Sequence, residues 1–165
     1  LKAVEGRFEK IGKIKNNSKV ILDYAHTPDA LKTCLLNIKE QFPEKKINLL
    51  FGCGGNRDKS KRSKMGKIAD SLSSQIYLTN DNPRNENPLK IRMDIKKGIK
   101  KKKIIEISDR KEAIFEAVNN LNTGEILLVA GKGHEKIQEI DGRKIYFSDK
   151  EIILDAIKKK KFRLI

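Results

Sequence analysis

Apolar residues fall in two alternating patterns along the chain. Short, nearly unbroken runs occupy residues 20–22, 47–51, 76–78, 104–107 and 126–130. Runs this short and rich in β-branched residues predict strands buried on both faces. Between them apolar residues recur at helical spacing. Leu31, Cys34, Leu35, Ile38 and Phe42 make one stripe, and Met65, Ile68, Ala69 and Leu72 a second. A weaker third joins Leu89, Ile91, Ile95 and Ile99, and a fourth joins Ala113, Ile114, Ala117, Val118 and Leu121.

The polar residues mark where these helices begin. Thr27 is placed to cap, with Pro28 at the first helical position and Asp29 in the first turn. Asp109 with Glu112 resembles a capping box, and Ser148 with Glu151 opens a last helix carrying Ile152, Ile153, Ala156 and Ile157. Asp141-Gly142, between two short alternating segments, predicts a type I′ hairpin that adds an antiparallel edge. Residues 1–17 are charged and glycine-punctuated, and read as a strand pair or a linker. The whole predicts one α/β domain over 1–165, doubly wound and Rossmann-like, its sheet mostly parallel with an antiparallel edge strand. Such sheets bind ligands at the carboxyl ends of their strands, so the chemistry is expected just after the apolar runs.

Composition narrows the picture. The chain has 165 residues, 38% apolar and 36% charged, without a run approaching the ~18 apolar residues of a membrane helix or the apolar core of a signal peptide. Cys34 and Cys53 form no CxxC pair, and no clustered His/Cys pattern or Ser-His-Asp order supports a metal or hydrolase site. The cytoplasm is the expected compartment. The net charge of +15 invites a nucleic-acid reading. The lysines are scattered, however, with local runs only at 100–103 and 158–161, and no aromatics interleave with them. A solvated surface is the plainer reading, with no nucleic-acid and no membrane partner. The apolar stripes are all used by one core, and the charge opposes self-association, so a monomer is expected.

Four segments at predicted strand ends carry unusual residues. Residues 52–60, Gly-Cys-Gly-Gly-Asn-Arg-Asp-Lys-Ser, follow a strand and precede a helix. The phosphate-loop pattern G-x-x-x-x-G-K-S/T fails there, because Asp58 precedes the lysine. Glycines at this place allow close backbone approach to a ligand, or simply turn the chain. Asp81-Asn82-Pro83-Arg84 is a stiff turn in which a fixed guanidinium suits capture of a carboxylate, and an ordinary polar turn explains it equally. Gly131 and Gly133 expose amides that can nest an anion, while Glu135 can accept from an amine and His134 reads as structural. Asp23 and His26 end the first buried strand, placed to meet ribose or phosphate, or else to face water and cap the next helix.

At these segments the sequence resembles the C-terminal domain of the Mur ligases, in the branch that adds meso-diaminopimelate. The matching segments are GRFE at 6–9, DYAHTPDAL at 23–31, GCGGNRDKSKR at 52–62, DNPR at 81–84, AGKGHE at 130–135 and FSDKE at 147–151, in one order and spacing. Asn56 departs from the family's more usual Asp. The resemblance implies an ATP-dependent amide ligation in peptidoglycan synthesis. A carboxylate of UDP-MurNAc-L-Ala-D-Glu is phosphorylated, and the incoming amine attacks the acyl phosphate. It implies that the UDP-sugar domain and the central domain, which holds most contacts to ATP and Mg2+, lie outside this chain. The chain alone would then be inactive, with no catalytic and no metal-binding residue of its own. By position, Arg57, Asp81, Asn82, Pro83, Arg84, Gly131 and Glu135 would bind meso-diaminopimelate, Arg84 gripping its distal carboxylate. Arg7, Asp23 and His26 would reach ATP on domain closure. The competing readings are another amide ligase of the superfamily, of cyanophycin or folylpolyglutamate type, and a basic RNA- or nucleotide-binding module.

Overall fold

The computed structural model describes residues 5–14 and 17–163, without the side chains of residues 13 and 161–163. The elements in chain order are β1 (Glu9–Lys13), β2 (Lys19–Asp23), α1 (Pro28–Gln41), β3 (Ile47–Phe51), α2 (Ser60–Leu72), β4 (Gln75–Leu78), α3 (Pro88–Lys96), β5 (Ile104–Glu106), α4 (Arg110–Asn119), β6 (Ile126–Ala130), β7 (Ile137–Ile140), β8 (Arg143–Tyr146) and α5 (Asp149–Arg163). The main sheet has the order β1-β2-β6-β3-β4-β5. Its β2, β6, β3, β4 and β5 pair in parallel, and β1 pairs antiparallel with β2.

The apolar runs become doubly buried strands because side chains alternate across the sheet. Ile21, Leu49, Phe51, Ile76 and Leu128 pack with Leu35, Met65 and Ile95 from α1, α2 and α3. Val20, Leu22, Leu50, Tyr77, Leu127 and Val129 pack on the other side with Ile114, Val118 and Ile153 from α4 and α5. Each buried Leu or Ile contributes about 1.5–3 kcal/mol. Two segments depart from the expected pattern. Ile104 and Ile105 are only half-buried, since β5 is the sheet edge, and Leu89 at the start of α3 is exposed to 51%. The helix starts form as the sequence indicates. Thr27 Oγ1 accepts from the Ala30 amide, Asp109 Oδ1 from the Glu112 amide and Ser148 Oγ from the Glu151 amide.

The antiparallel edge comes from a different segment than expected. The hairpin at Asp141-Gly142 exists, with positive φ at both residues (49° and 72°), but β7 and β8 form a separate two-stranded sheet. The antiparallel edge of the main sheet is β1, drawn from the N-terminal stretch whose residues 1–4 and 15–16 lie outside the described residues. The chain steps outward from β3 to β5 through α2 and α3, then returns through α4 to place β6 between β2 and β3. That return brings the loops after β2, β3, β4 and β6 together at one end of the sheet.

Candidate functional site

Two clefts open at that end. The first, of about 340 Å³, is lined by Tyr24, His26, Gly52, Gly54, Arg57, Lys61, Asp81, Asn82, Arg84, Gly131 and Glu135. Every residue expected at the amino-acid site lies on it except Pro83. The second, of about 490 Å³, lies between the GRFE turn and α1 and includes Arg7, Asp23, His26, Thr33 and Asn37. Tyr24 and His26 border both clefts.

Backbone contacts draw the first cleft together. The Gly55 amide donates to the Asn82 carbonyl (2.8 Å), joining the glycine loop to the DNPR turn. A side chain at Gly55 would collide with the Pro83 carbonyl, so the glycine is required by close approach, and Pro83 shapes the turn without lining the cleft. Behind this contact the fully buried Arg62 forks onto Glu86 with two bonds of 2.8 Å and donates to Gly54 O (3.2 Å). The Arg62 fork holds the Glu86 carboxyl down at about 2.

Arg84 stands at φ +53°, a left-handed conformation that a long side chain keeps only when its surroundings enforce it. Its amide donates to Glu139 O (2.9 Å) and its carbonyl accepts from the Asp141 amide (2.7 Å). The guanidinium donates to Gly55 O (3.0 Å) and its Nε lies 2.7 Å from Glu139 Oε2. Arg57 is exposed, its Nη1 donating to Asn56 O (3.0 Å), where Asn56 also takes a left-handed turn (φ 52°).

The floor of the cleft carries the carboxyl groups of Asp81 and Glu135. Asp81 is buried, and desolvation pushes its carboxyl above the usual range despite the nearby Arg110 and Lys132. A Cβ at Gly131 would lie 2.7 Å from Asp81 Oδ2, and Gly131 has φ 116°, so both space and backbone require glycine. Its amide donates to Asp23 O (3.0 Å), which removes it from the anion nest expected there. Lys132 is completely buried. Its ammonium donates to Asn82 Oδ1 (2.8 Å) and Ile137 O (2.7 Å) and pairs with Glu135 Oε2 (3.3 Å). One lysine thus orients two residues of the cleft. Burial, then the neighbouring Glu135 charge, push the Tyr24 hydroxyl above its ordinary value.

In the second cleft Asp23 is fully engaged. Its oxygens accept from the Phe8 amide (2.8 Å) and the Ala25 amide (2.7 Å). The carboxylate therefore ties the GRFE turn to the end of β2, and Arg7 is left exposed beside it. The His26 Nδ1 lies 2.8 Å from Tyr24 O and its ring stands 4.5 Å from that of Tyr24. Burial pushes the Cys34 and Cys53 thiols up to about 12, so neither is a nucleophile. Among the described residues no group of three or more His, Cys, Asp or Glu side chains is placed to hold a metal ion.

Sequence reasoning passed over several residues that build the site. Arg110 and Asp149, both fully buried, pair beneath it, and Arg110 also donates to the carbonyls of Asn80 and Ala130. Lys132 holds the Asn82 and Glu135 side chains, and Glu139 holds that of Arg84. The FSDKE segment included Asp149, but nothing in its local pattern pointed to Arg110.

Comparison with known proteins identifies the family. Residues 6–133 match the family model described as Mur ligase, glutamate ligase domain. A protein of Buchnera aphidicola subsp. Baizongia pistaciae named UDP-N-acetylmuramoyl-L-alanyl-D-glutamate--2,6-diaminopimelate ligase is 52% identical over 163 residues, which is 98% of this chain and 32% of that protein. A protein of the same name from Chlorobaculum tepidum is 47% identical, across 92% of this chain and 30% of its own length. A solved structure of a ligase of that name superposes with a TM-score of 0.88 at 38% identity, covering 97% of this chain and 33% of its own. Folylpolyglutamate synthase/dihydrofolate synthase from Yersinia pestis, at 20% identity and a TM-score of 0.60, shares the fold over 78% of this chain and 28% of its own. The chain spans about a third of the length of the curated relatives it matches. Fold, strand-end clefts and sequence matches together place this chain in the Mur ligase, glutamate ligase domain family.

Proposed function

We propose that this chain is the amino-acid-binding, C-terminal part of an ATP-dependent ligase that joins meso-diaminopimelate to UDP-MurNAc-L-Ala-D-Glu. The observation that carries the reading is the charge pattern of the smaller cleft, where Arg57 and Arg84 face Asp81 and Glu135. A substrate with ammonium and carboxylate ends meets both signs there. A polyanion such as RNA meets the two carboxylates as well, which disfavours the nucleic-acid reading.

In this reading Arg84 binds the distal carboxylate of diaminopimelate, and Arg57 assists at the same charged end. Asp81 and Glu135 receive the ammonium, whose charge offsets the burial that opposes ionisation of Asp81. Asn82, oriented by Lys132, adds a hydrogen bond, and Gly131 lets the ligand approach the backbone. The task of the chain is to orient the attacking amine and to keep water from the acyl phosphate on closure. The larger cleft then turns toward ATP bound mainly by the central part of the enzyme, together with Mg2+. Arg7 is an exposed cation on that surface, His26 lies beside it, and Asp23 acts by fixing the turn that presents Arg7. We place this work in the cytoplasm and in a monomer. No helix among the described residues is long and apolar enough to cross a membrane.

Calorimetric titration of the chain with meso-diaminopimelate and with L-lysine tests the reading. Binding of diaminopimelate well above that of lysine is expected. Equal binding of both, or preference for lysine, overturns it.

A further inference from the structure

The hairpin β7–β8 stands outside the main sheet, yet it holds the DNPR turn at five points. Gln138 Nε2 donates to Asp81 O (2.8 Å), and the Glu139 amide to Asn82 Oδ1 (3.1 Å). Arg84 and Ile140 form a parallel bridge, with the Arg84 amide on Glu139 O and the Asp141 amide on Arg84 O. To these links Glu139 adds its carboxylate, against the Arg84 Nε.

We propose that Glu139 is a positioning residue for amino-acid specificity: its carboxylate sets the orientation in which the Arg84 guanidinium meets the ligand. The inference rests on the reading of Arg84 given above. A guanidinium is planar, so two fixed points determine how its fork is aimed. Gly55 O holds Nη1 and Glu139 holds Nε, and neither contact uses Nη2. The Arg84 side chain is 22% exposed, so without the second contact it regains rotamer freedom that binding must again remove. Glu139 also carries a cost, because its charge repels a ligand carboxylate arriving at the same guanidinium. Lys144 Nζ, 3.9 Å from Glu139 Oε1, offsets part of that charge. Geometry and charge therefore act in opposite directions, and two substitutions separate them.

The experiment uses the full-length ligase containing this chain, with Arg84→Ala as reference. Substituting Glu139 leaves its two main-chain links in place, so the turn stays attached. Glu139→Ala is expected to raise KM for meso-diaminopimelate about fivefold with kcat within about twofold, the size of one unfixed long side chain. L-lysine kinetics should not move, so the preference for diaminopimelate falls by the same factor. Glu139→Gln keeps an acceptor at the position and removes the repulsion, and should return KM to within about twofold of the parent. An unchanged KM in Glu139→Ala, an equal change for both amino acids, or Glu139→Gln as impaired as Glu139→Ala overturns the proposal. So does a lowered Tm accompanied by parallel loss on both substrates. If Arg84→Ala removes the preference and Glu139→Ala does not, only the role of Glu139 falls. If Arg84→Ala changes nothing, the diaminopimelate reading falls with it.

Discussion

Asp149→Ala should be among the most damaging single substitutions in this chain, and it should reach the cleft without touching it. Asp149 and Arg110 are buried completely, and their two charge-assisted hydrogen bonds measure 2.9 and 2.8 Å. Arg110 spends its other donors on Asn80 O (3.1 Å) and Ala130 O (3.2 Å). Those carbonyls directly precede Asp81 and Gly131, so the guanidinium pins the ends of β4 and β6 under the cleft. Removing Asp149 leaves that guanidinium in the interior without its counter-charge, which costs about 3–5 kcal/mol. A first-turn carboxylate lost from α5 adds about 0.3–1 kcal/mol. Set against the ~5–15 kcal/mol typical of a folded domain, this is about a fifth of the total at the least. For a chain of this length it lowers Tm by about 10 °C. Asp149→Asn keeps an acceptor for Arg110 and should fall between the variant and the parent. Urea unfolding followed by circular dichroism measures the loss at constant m-value. A loss under about 1 kcal/mol for Asp149→Ala would refute the reasoning, because it would mean that Arg110 finds solvent or another carboxylate at little cost.

Three further outcomes are expected. In the full-length ligase, Arg84→Ala should lower kcat/KM for meso-diaminopimelate at least about a hundredfold, near 2.7 kcal/mol, with far less effect on L-lysine. Arg84→Lys should rescue poorly, since a point charge lacks the planar fork; steady-state kinetics on both amino acids checks this. Asp81→Asn should stabilise the ligand-free chain while weakening amino-acid binding. Burial raises the folded carboxyl above 3.8, so its contribution to stability is full below that value and is lost as pH rises through the folded pKa. The gain in Tm should accordingly shrink on acidification in paired melts. Glu86 has the opposite sign. The Arg62 fork lowers it from 4.5 to about 2, so its stabilisation is present above pH 4.5 and is lost as pH falls toward 2. Glu86→Gln should flatten that acid limb in a pH series of melts.

The pattern of apolar residues was enough to predict the sheet and its helices. A strand covered on both faces must be apolar almost throughout, and a helix covered on one face must repeat near every third or fourth residue. The runs at 47–51 and 126–130 became β3 and β6 without shift, and Thr27, Asp109 and Ser148 cap the helices they precede. The strand-end position of the unusual residues followed as well, because a parallel α/β sheet opens its loops at that end. Tertiary structure alone decided which charges meet. Arg110 and Asp149 stand on different helices and become partners only because α4 and α5 pack on the same face of the sheet. Nothing local assigns Lys132 a role within AGKGHE, but the fold closes Asn82, Glu135 and Ile137 around its ammonium. The hairpin was legible at Asp141-Gly142, but its docking on the DNPR turn was not, since a turn sequence specifies local backbone geometry and carries no information about the surface it lands on. Local sequence sets the elements through burial and backbone preference, whereas the pairing of distant polar groups depends on strand order, which only the packed chain determines.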